Sequence, residues 1–375
     1  MNPWGIREVG NKIEIVSLTS GGSSGGASAA LSGSLLNLVT AADGGGSIRI
    51  PAGYVGAFGL KPTRGLVPVS EGQQFGSVPY FPFVHFGPLT KSVLDAALIL
   101  DITAGYHPHD PYSLPKPPYS FYKSINNVNY TKQKANQPQK SQQQQQQQQM
   151  KKLKIAFSKD LGYVSYVDPI ILKSVEDGLK VWRSLGHTVE YVDITLPDVG
   201  QNWGTSMSSQ QAVIIGEYLD DTNAKRLEAG NPPLELEKSL SILWESASQT
   251  GLRDLSELMK QANEMNHKLS ELFSIYDILI TPALPVSPFS ASGPSPSEPF
   301  SDPFHFAGFL YPFNVSGHPA CVVRCGMDTR LPSLNLPISM QLVAERHQDL
   351  QLLMAAREYE IGAKPFDSWP IVPKL

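Results

Sequence analysis

The chain of 375 residues predicts an α/β fold, and three stretches carry that prediction. Residues 153–157 read as a strand, and residues 188–192 as a second. Between them Ile171, Val175, Leu179 and Trp182 recur at helical spacing, Asp168-Pro169 supplies an N-cap with proline at the first helical position, and Gly186 closes the helix. A strand, helix, strand unit of this length implies a right-handed parallel crossover within a sheet. The third stretch, residues 276–282, reads as a buried strand stopped by Pro282.

Taken from the amino terminus, residues 20–64 are unusually rich in glycine and small hydroxyl side chains, interrupted by apolar runs. A helix is expected over 27–39 with Leu31, Leu35 and Leu38 on one face, and a loop followed by a strand over 48–60. Thr90 is placed to cap a helix through Thr103, with Val93, Ala97 and Leu100 on a shared face and Gly105 ending it. Residues 107–150 turn first to proline and then to asparagine, lysine and glutamine, ending in the run 142–149. Such a segment buries too little apolar surface to offset its ordering entropy, so about 122–150 is expected to be a disordered insertion, with the glutamine run a tolerated surface expansion. Beyond the strand, helix, strand unit, a long amphipathic helix is expected over 252–273. Residues 285–303, rich in proline and serine, are expected to form a surface loop near the binding cleft, and Asp349 to cap a closing helix through Ile361.

Composition narrows the function. A hydrophobic content of 41% with 17% charged residues describes a globular chain with a substantial core, and a net charge of −4 gives no electrostatic reason to expect nucleic acid or an anionic membrane as partner. Cys321 and Cys325 are too few for a disulfide framework and lack partners for a zinc site, so they read as reduced, buried, intracellular thiols. The start Met1-Asn2-Pro3-Trp4-Gly5 has neither the basic region nor the apolar core of a secretory signal, and no run of eighteen apolar residues exists, so the expected location is cytoplasmic without a membrane segment.

The chemistry concentrates in two glycine blocks, Gly21-Gly22-Ser23-Ser24-Gly25-Gly26 and Asp43-Gly44-Gly45-Gly46-Ser47-Ile48-Arg49-Ile50-Pro51. Glycine at this density lets main-chain N–H groups approach a ligand closely, and a Gly-Gly-Gly-Ser turn can offer consecutive donors to an oxyanion with a hydroxyl placed to attack. A flexible linker and a phosphate-cradling loop are the other readings of such residues. The apolar runs speak against the first, and the lack of a Gly-Lys-Ser/Thr after a strand speaks against the second.

With a third block, Gly56-Ala57-Phe58-Gly59-Leu60-Lys61-Pro62-Thr63, in order and at matching spacing, the sequence resembles the amidase signature family. The resemblance runs from Asn2 to about Glu360 and implies the amidase signature fold: a mixed twisted sheet covered by helices, forming one domain over 1–375 broken by the insertion. It implies Ser47 as nucleophile, Ser23 on a cis peptide bond as proton relay, and the N–H groups of Gly44, Gly45, Gly46 and Ser47 as oxyanion donors. Asp43, Arg49 and Ser24 would support the loop, Asp43 and Arg49 as a structural ion pair. Serine needs an adjacent base, and in the family this is a lysine well upstream of the first glycine block. Lys12 lies in a sequence that matches no catalytic motif, Lys61 matches a structural position, and His85 reads as a packed core residue. The chain is therefore expected to begin inside the family's domain, its amino-terminal elements missing. Ala41 and Ala42 replace a threonine-containing sequence frequent before the aspartate.

The leading expectation is an amidase-type hydrolase acting on a small-molecule amide through a serine acyl-enzyme, with no metal and no cofactor. Two others stay open: an inactive or truncated relative acting as a binding protein, and the amidase subunit of a transamidating complex that makes glutaminyl-tRNA. The sequence leaves a homodimer open and does not select among fatty acyl, aryl and small aliphatic amides.

Overall fold

The computed structural model describes residues 1–9, 12–69, 83–126, 151–235, 251–293, 295–296, 298–300, 303–331 and 334–364. A turn of 3-10 helix at Pro3–Gly5 leads into the antiparallel pair β1 (Ile6–Val9) and β2 (Lys12–Ile15). There follow α1 (Gly25–Ser32), β3 (Leu38–Asp43), α2 (Arg49–Val55), β4 (Phe58–Lys61), β5 (His85–Thr90), α3 (Val93–Thr103) and α4 (Phe121–Asn126). The middle of the chain holds β6 (Lys154–Phe157), α5 (Pro169–Ser184), β7 (Thr188–Tyr191), α6 (Gly200–Glu228), α7 (Leu252–Phe273) and β8 (Ile278–Pro282). The short α8 (Pro312–Val315), then β9 (Ala320–Asp328), β10 (Leu336–Val343) and α9 (Asp349–Ala363) complete the order.

Eight strands make one mixed sheet in the order β3-β5-β4-β9-β10-β8-β6-β7. The pairs from β3 to β8 are antiparallel, while β8, β6 and β7 run parallel, as the strand, helix, strand unit requires. Side-chain alternation divides the core between the two faces of the sheet. Phe58, Leu60, Ile155, Phe157, Ile278, Ile280, Cys321 and Val323 pack with α3, α4, α5 and α9 on one side. Ala156, Leu279 and Ala320 meet α7 on the other, where Val322 and Leu336 also pack against α2 and Leu31 of α1. The layer that carries α1 and α2 also carries both glycine blocks.

Helical periodicity marks α5 and α7 well because each buries a single face. Asp168 caps α5 through its carboxylate, accepting from Ile170 N at 3.1 Å, and Ile171, Val175, Leu179 and Trp182 are all buried. Leu258, Ala262, Met265, Leu269 and Leu272 form the buried stripe of α7, whose bounds match the expected 252–273.

Five expectations are corrected. The helix expected over 27–39 ends at Ser32, because Gly33 caps it and Ser34 turns to φ 60°. Leu31 is buried, but Leu35 is 79% exposed and Leu38 already belongs to the edge strand β3. Residues 49–55, expected as loop, form the fully buried helix α2, ended by Gly56 at φ 69°. Thr90 closes β5, and Ser92 caps α3 instead, accepting from Asp95 N at 3.1 Å. Asp349 opens α9 but does not cap it: its carboxylate accepts from Thr63 N at 2.8 Å and Thr63 Oγ1 at 2.5 Å, tying α9 to the end of β4. Residues 122–126, expected to be disordered, belong to α4, which extends through Asn126 with Phe121 and Ile125 buried; residues 127–150 lie outside the described residues.

Trp182 anchors the helical layer opposite the glycine blocks, stacked on Tyr359 of α9 with ring centroids 5.3 Å apart. Trp182→Ala is expected to cost about 3–5 kcal/mol of stability, read as a lower urea midpoint. A change below about 1 kcal/mol would show that α5 and α9 do not depend on this contact.

Candidate active site

The first glycine block enters from the loop before α1. Gly21 sits at φ 88°, and a Cβ there would lie 2.6 Å from Pro51 Cα, so glycine lets this block press against α2. The Gly22–Ser23 peptide bond is cis, as the sequence resemblance implies. Ser23 is exposed; Ser24 precedes the first turn of α1 and donates from Oγ to the Ala42 carbonyl at 3.4 Å. Ser28 fastens the block from inside, donating to Ser20 O at 2.9 Å. The two glycine blocks are thus joined at both ends, by Gly21 on Pro51 and by Ser24 on β3. The loop beyond β8 runs beside the first block, with Thr19 N donating to Phe289 O at 2.8 Å. Asn2 and Trp4 close the far end of α2: Asn2 Nδ2 donates to Tyr54 O at 2.9 Å and Trp4 Nε1 to Val55 O at 2.8 Å. These satisfy carbonyls that the helix end leaves open.

The second block turns from β3 into α2 around a buried ion pair. Arg49 Nε donates to Asp43 Oδ2 at 2.9 Å and Nη2 to Oδ1 at 2.9 Å, with neither side chain exposed. Burial by itself would raise the Asp43 pKa; the Arg49 guanidinium, with Asn314 and Lys61, outweighs it and holds the carboxyl well below the usual carboxylate range. Asn314 Nδ2 donates to Asp43 O at 2.7 Å and to Oδ1 at 2.8 Å. Arg49 Nη1 donates to Gln341 Oε1 at 2.7 Å and to Leu310 O at 2.9 Å. Every donor of the guanidinium that faces the core therefore meets oxygen.

This network decides which amides face outward. Gly46, at φ 129°, donates its N–H to Asp43 Oδ1 at 2.7 Å, and Ile48 N donates to Oδ2 at 3.3 Å. Of the four donors named from the sequence, Gly46 is accordingly turned inward to the carboxylate; among the described residues, Gly44, Gly45 and Ser47 do not donate their N–H groups to Asp43. Ser47 itself is half-buried at the start of α2.

None of the hydrogen bonds among the described residues joins Ser23 or Ser47 to a lysine or histidine. Lys61 is fully buried, donating from Nζ to Pro62 O at 3.0 Å, and burial, with Arg49 near it, holds its pKa well below the ordinary lysine value. His85, paired across the sheet with Asp43, shares the Phe83 carbonyl with Asn314, its Nδ1 2.8 Å from that oxygen. Burial, with Lys61 and Arg64 nearby, holds His85 well below its ordinary value, so its ring is neutral. The Lys12 side chain lies outside the described residues. Among the described residues no group of three or more His, Cys, Asp or Glu is arranged to hold a metal ion, and no helix is long and apolar enough to cross a membrane. Cys321 is buried and Cys325 half-buried, both as free thiols.

Sequence reading missed Trp203 altogether, because nothing in its surroundings forms a motif; its Nε1 donates to Gly44 O at 3.1 Å. Asn314 and Gln341 lie in stretches that resemble family blocks, but nothing local to them shows that they converge on Arg49.

Two outcomes follow from this geometry. Asp43→Asn leaves Arg49 charged and buried without its counter-ion, so a loss of about 3–5 kcal/mol is expected in urea unfolding at pH 7. The folded His85 pKa lies below the unfolded value of about 6.5, so below that pH the unfolded chain binds the extra proton and stability falls as pH falls. His85→Gln removes that proton difference: its stability loss between pH 7.5 and 5 is expected to be smaller than the wild type's, by at most about 1.4 kcal/mol per pH unit. Identical pH slopes in the two proteins would mean that His85 titrates normally.

Comparison with known proteins places the chain in a family. The family model described as Amidase matches residues 15–353. An acylamidase of Rhodococcus erythropolis is 29% identical over 386 residues, covering 98% of this chain and 69% of its own length. A glutamyl-tRNA(Gln) amidotransferase subunit of Alkaliphilus metalliredigens (strain QYMF) is 27% identical over 385 residues, covering 96% of this chain and 69% of its own. Among solved structures, a bacterial aryl acylamidase of the amidase signature family superposes with a TM-score of 0.76 at 22% identity, covering 98% of this chain and 69% of that one. At that identity the likeness speaks for the fold alone. The family match spans most of the sheet and both serine-bearing glycine blocks, and with them this chain belongs to the amidase signature family.

Proposed function

We propose that this chain is an amide hydrolase in which Ser47 is the nucleophile. The observation that carries the reading is the packing of one serine-bearing glycine block on the other, with Ser47 at a turn whose Gly44, Gly45 and Ser47 amides are not taken up by the Asp43 carboxylate. In this reading the Ser47 Oγ attacks the amide carbonyl and the carbonyl oxygen becomes an oxyanion bound by those three N–H groups. The C–N bond breaks as the leaving nitrogen takes up a proton, and water then attacks the acyl ester to free the acid and regenerate the hydroxyl. Ser23, exposed on the neighbouring block, passes the proton taken from Ser47 to the base. The family resemblance makes that base a neutral lysine, and neither buried Lys61 nor neutral, carbonyl-bonded His85 is paired with Ser23. If no such lysine is supplied, oxyanion binding alone remains, and the rate is expected to be about 10³-fold or more below that of a complete triad.

A second reading follows from the relatives, several of which are glutamyl-tRNA(Gln) amidotransferase subunits. In it the chain would deliver ammonia within a glutaminyl-tRNA-forming complex, and purification from the native source would bring down a stoichiometric partner. A chain that purifies alone would count against it.

A fluorophosphonate probe tests the hydrolase reading. Labelling of the wild type at Ser47, lost in Ser47→Ala, is the expected result, and labelling that persists in the alanine protein would remove the nucleophile assignment. Ser23→Ala is expected to slow labelling about 10²- to 10⁴-fold, the range of a lost proton-transfer partner, with an unchanged urea midpoint.

A further inference from the structure

The glycine loop is held from a second direction, by a residue far from it in sequence. Trp203, in the first turn of α6, donates its indole N–H to Gly44 O at 3.1 Å. Its benzo ring lies directly against Gly45: a Cβ built there would fall inside van der Waals contact with Cζ2 and Cη2. Met207, one turn further along α6, brings its methyl to 3.0 Å from the place a Gly44 Cβ would occupy. The indole stacks on Tyr311, with centroids 5.3 Å apart and planes 15° from parallel. Tyr311 donates its hydroxyl to Asp198 Oδ1 at 3.2 Å, and the same oxygen accepts the N–H of Gly200 at 3.0 Å. Asp198 Oδ2 lies 2.9 Å from His305 Nε2, so the start of α6 is itself anchored.

We propose that Trp203 is a positioning residue that sets the direction of the Gly45 N–H. The Gly44–Gly45 peptide is planar and trans, so its carbonyl and its N–H point opposite ways. An indole donor that fixes the carbonyl on the α6 side therefore aims the amide hydrogen away from α6. Stacking on Tyr311 would hold the ring with or without this bond; the bond orients the peptide. The catalytic consequence rests on the hydrolase reading above, in which Gly45 is an oxyanion donor, whereas the orientation of the peptide does not.

Trp203→Phe keeps a ring for Tyr311 and removes the donor. Hydrogen exchange of the full chain, read by mass spectrometry over residues 44–48, is expected to quicken about tenfold in this variant, with segments of β10 and α5 unchanged. With an amide or ester that the wild type turns over, kcat is expected to fall about 10²-fold, as for loss of one oxyanion donor, with KM within about threefold. Gly45→Ala pushes a methyl into the benzo ring and is expected to speed the same exchange, with a smaller effect in the Trp203→Phe background, where phenylalanine leaves that space open. Unchanged exchange over 44–48 in both single variants, or a raised KM with unaltered kcat in Trp203→Phe, would overturn the proposal. A wild type without labelling at Ser47 removes the hydrolase reading, and the exchange measurement still decides the role of Trp203.

Discussion

The buried pair of Asp43 and Arg49 is the contact on which the site depends. Two ions taken out of water are costly unless each finds a partner and the remaining donors and lone pairs are filled. Here they are filled from four elements: β3 supplies Asp43, α2 supplies Arg49, α8 supplies Asn314 and β10 supplies Gln341. The requirement to satisfy one guanidinium therefore fixes the relative placement of a sheet edge, a helix and the centre of the sheet. It also shapes the loop between the two ions. The carboxylate takes the N–H groups of Gly46 and Ile48 and so holds the turn from inside.

The sheet makes this arrangement possible by separating its faces. On one face α3, α4, α5 and α9 bury a continuous apolar layer. The opposite face carries the glycine blocks, the ion pair, buried Lys61 and neutral His85, groups that the low-dielectric interior tolerates only when they are paired or uncharged. Glycine and serine predominate where α2 meets the first block because larger side chains would hold the two apart. A chemical site of this kind is polar and closely packed, and it draws on the apolar face for its rigidity.

Where sequence reading went astray, a tertiary partner was the reason. Residues 27–39 carry a helical spacing of leucines, yet Gly33 and Ser34 break it and the chain enters an edge strand at Leu38, since β5 offers a full register of partners. Residues 49–55 look like loop because proline and glycine interrupt them; burial on all sides and the Asp43 anchor make them helix. Asp349 has the position of a cap but serves Thr63 across the molecule. Local preference is worth a few tenths of a kcal/mol per residue and yields to a long-range contact worth more.

The sequence alone determined the α/β class, the long helices α5 and α7, and both serine-bearing glycine blocks. Each of these is written in short spacings: a periodic apolar stripe, an N-cap with its proline, or glycines at the positions a tight turn requires. Only the tertiary structure decided that Asn314, 265 residues beyond Arg49, completes its hydrogen bonds. It also decided that Gly46 faces inward and that Trp203 covers Gly45. Those contacts depend on strand register and on how helices lie across the sheet, and register is a property of the whole assembled sheet that no single stretch of residues encodes.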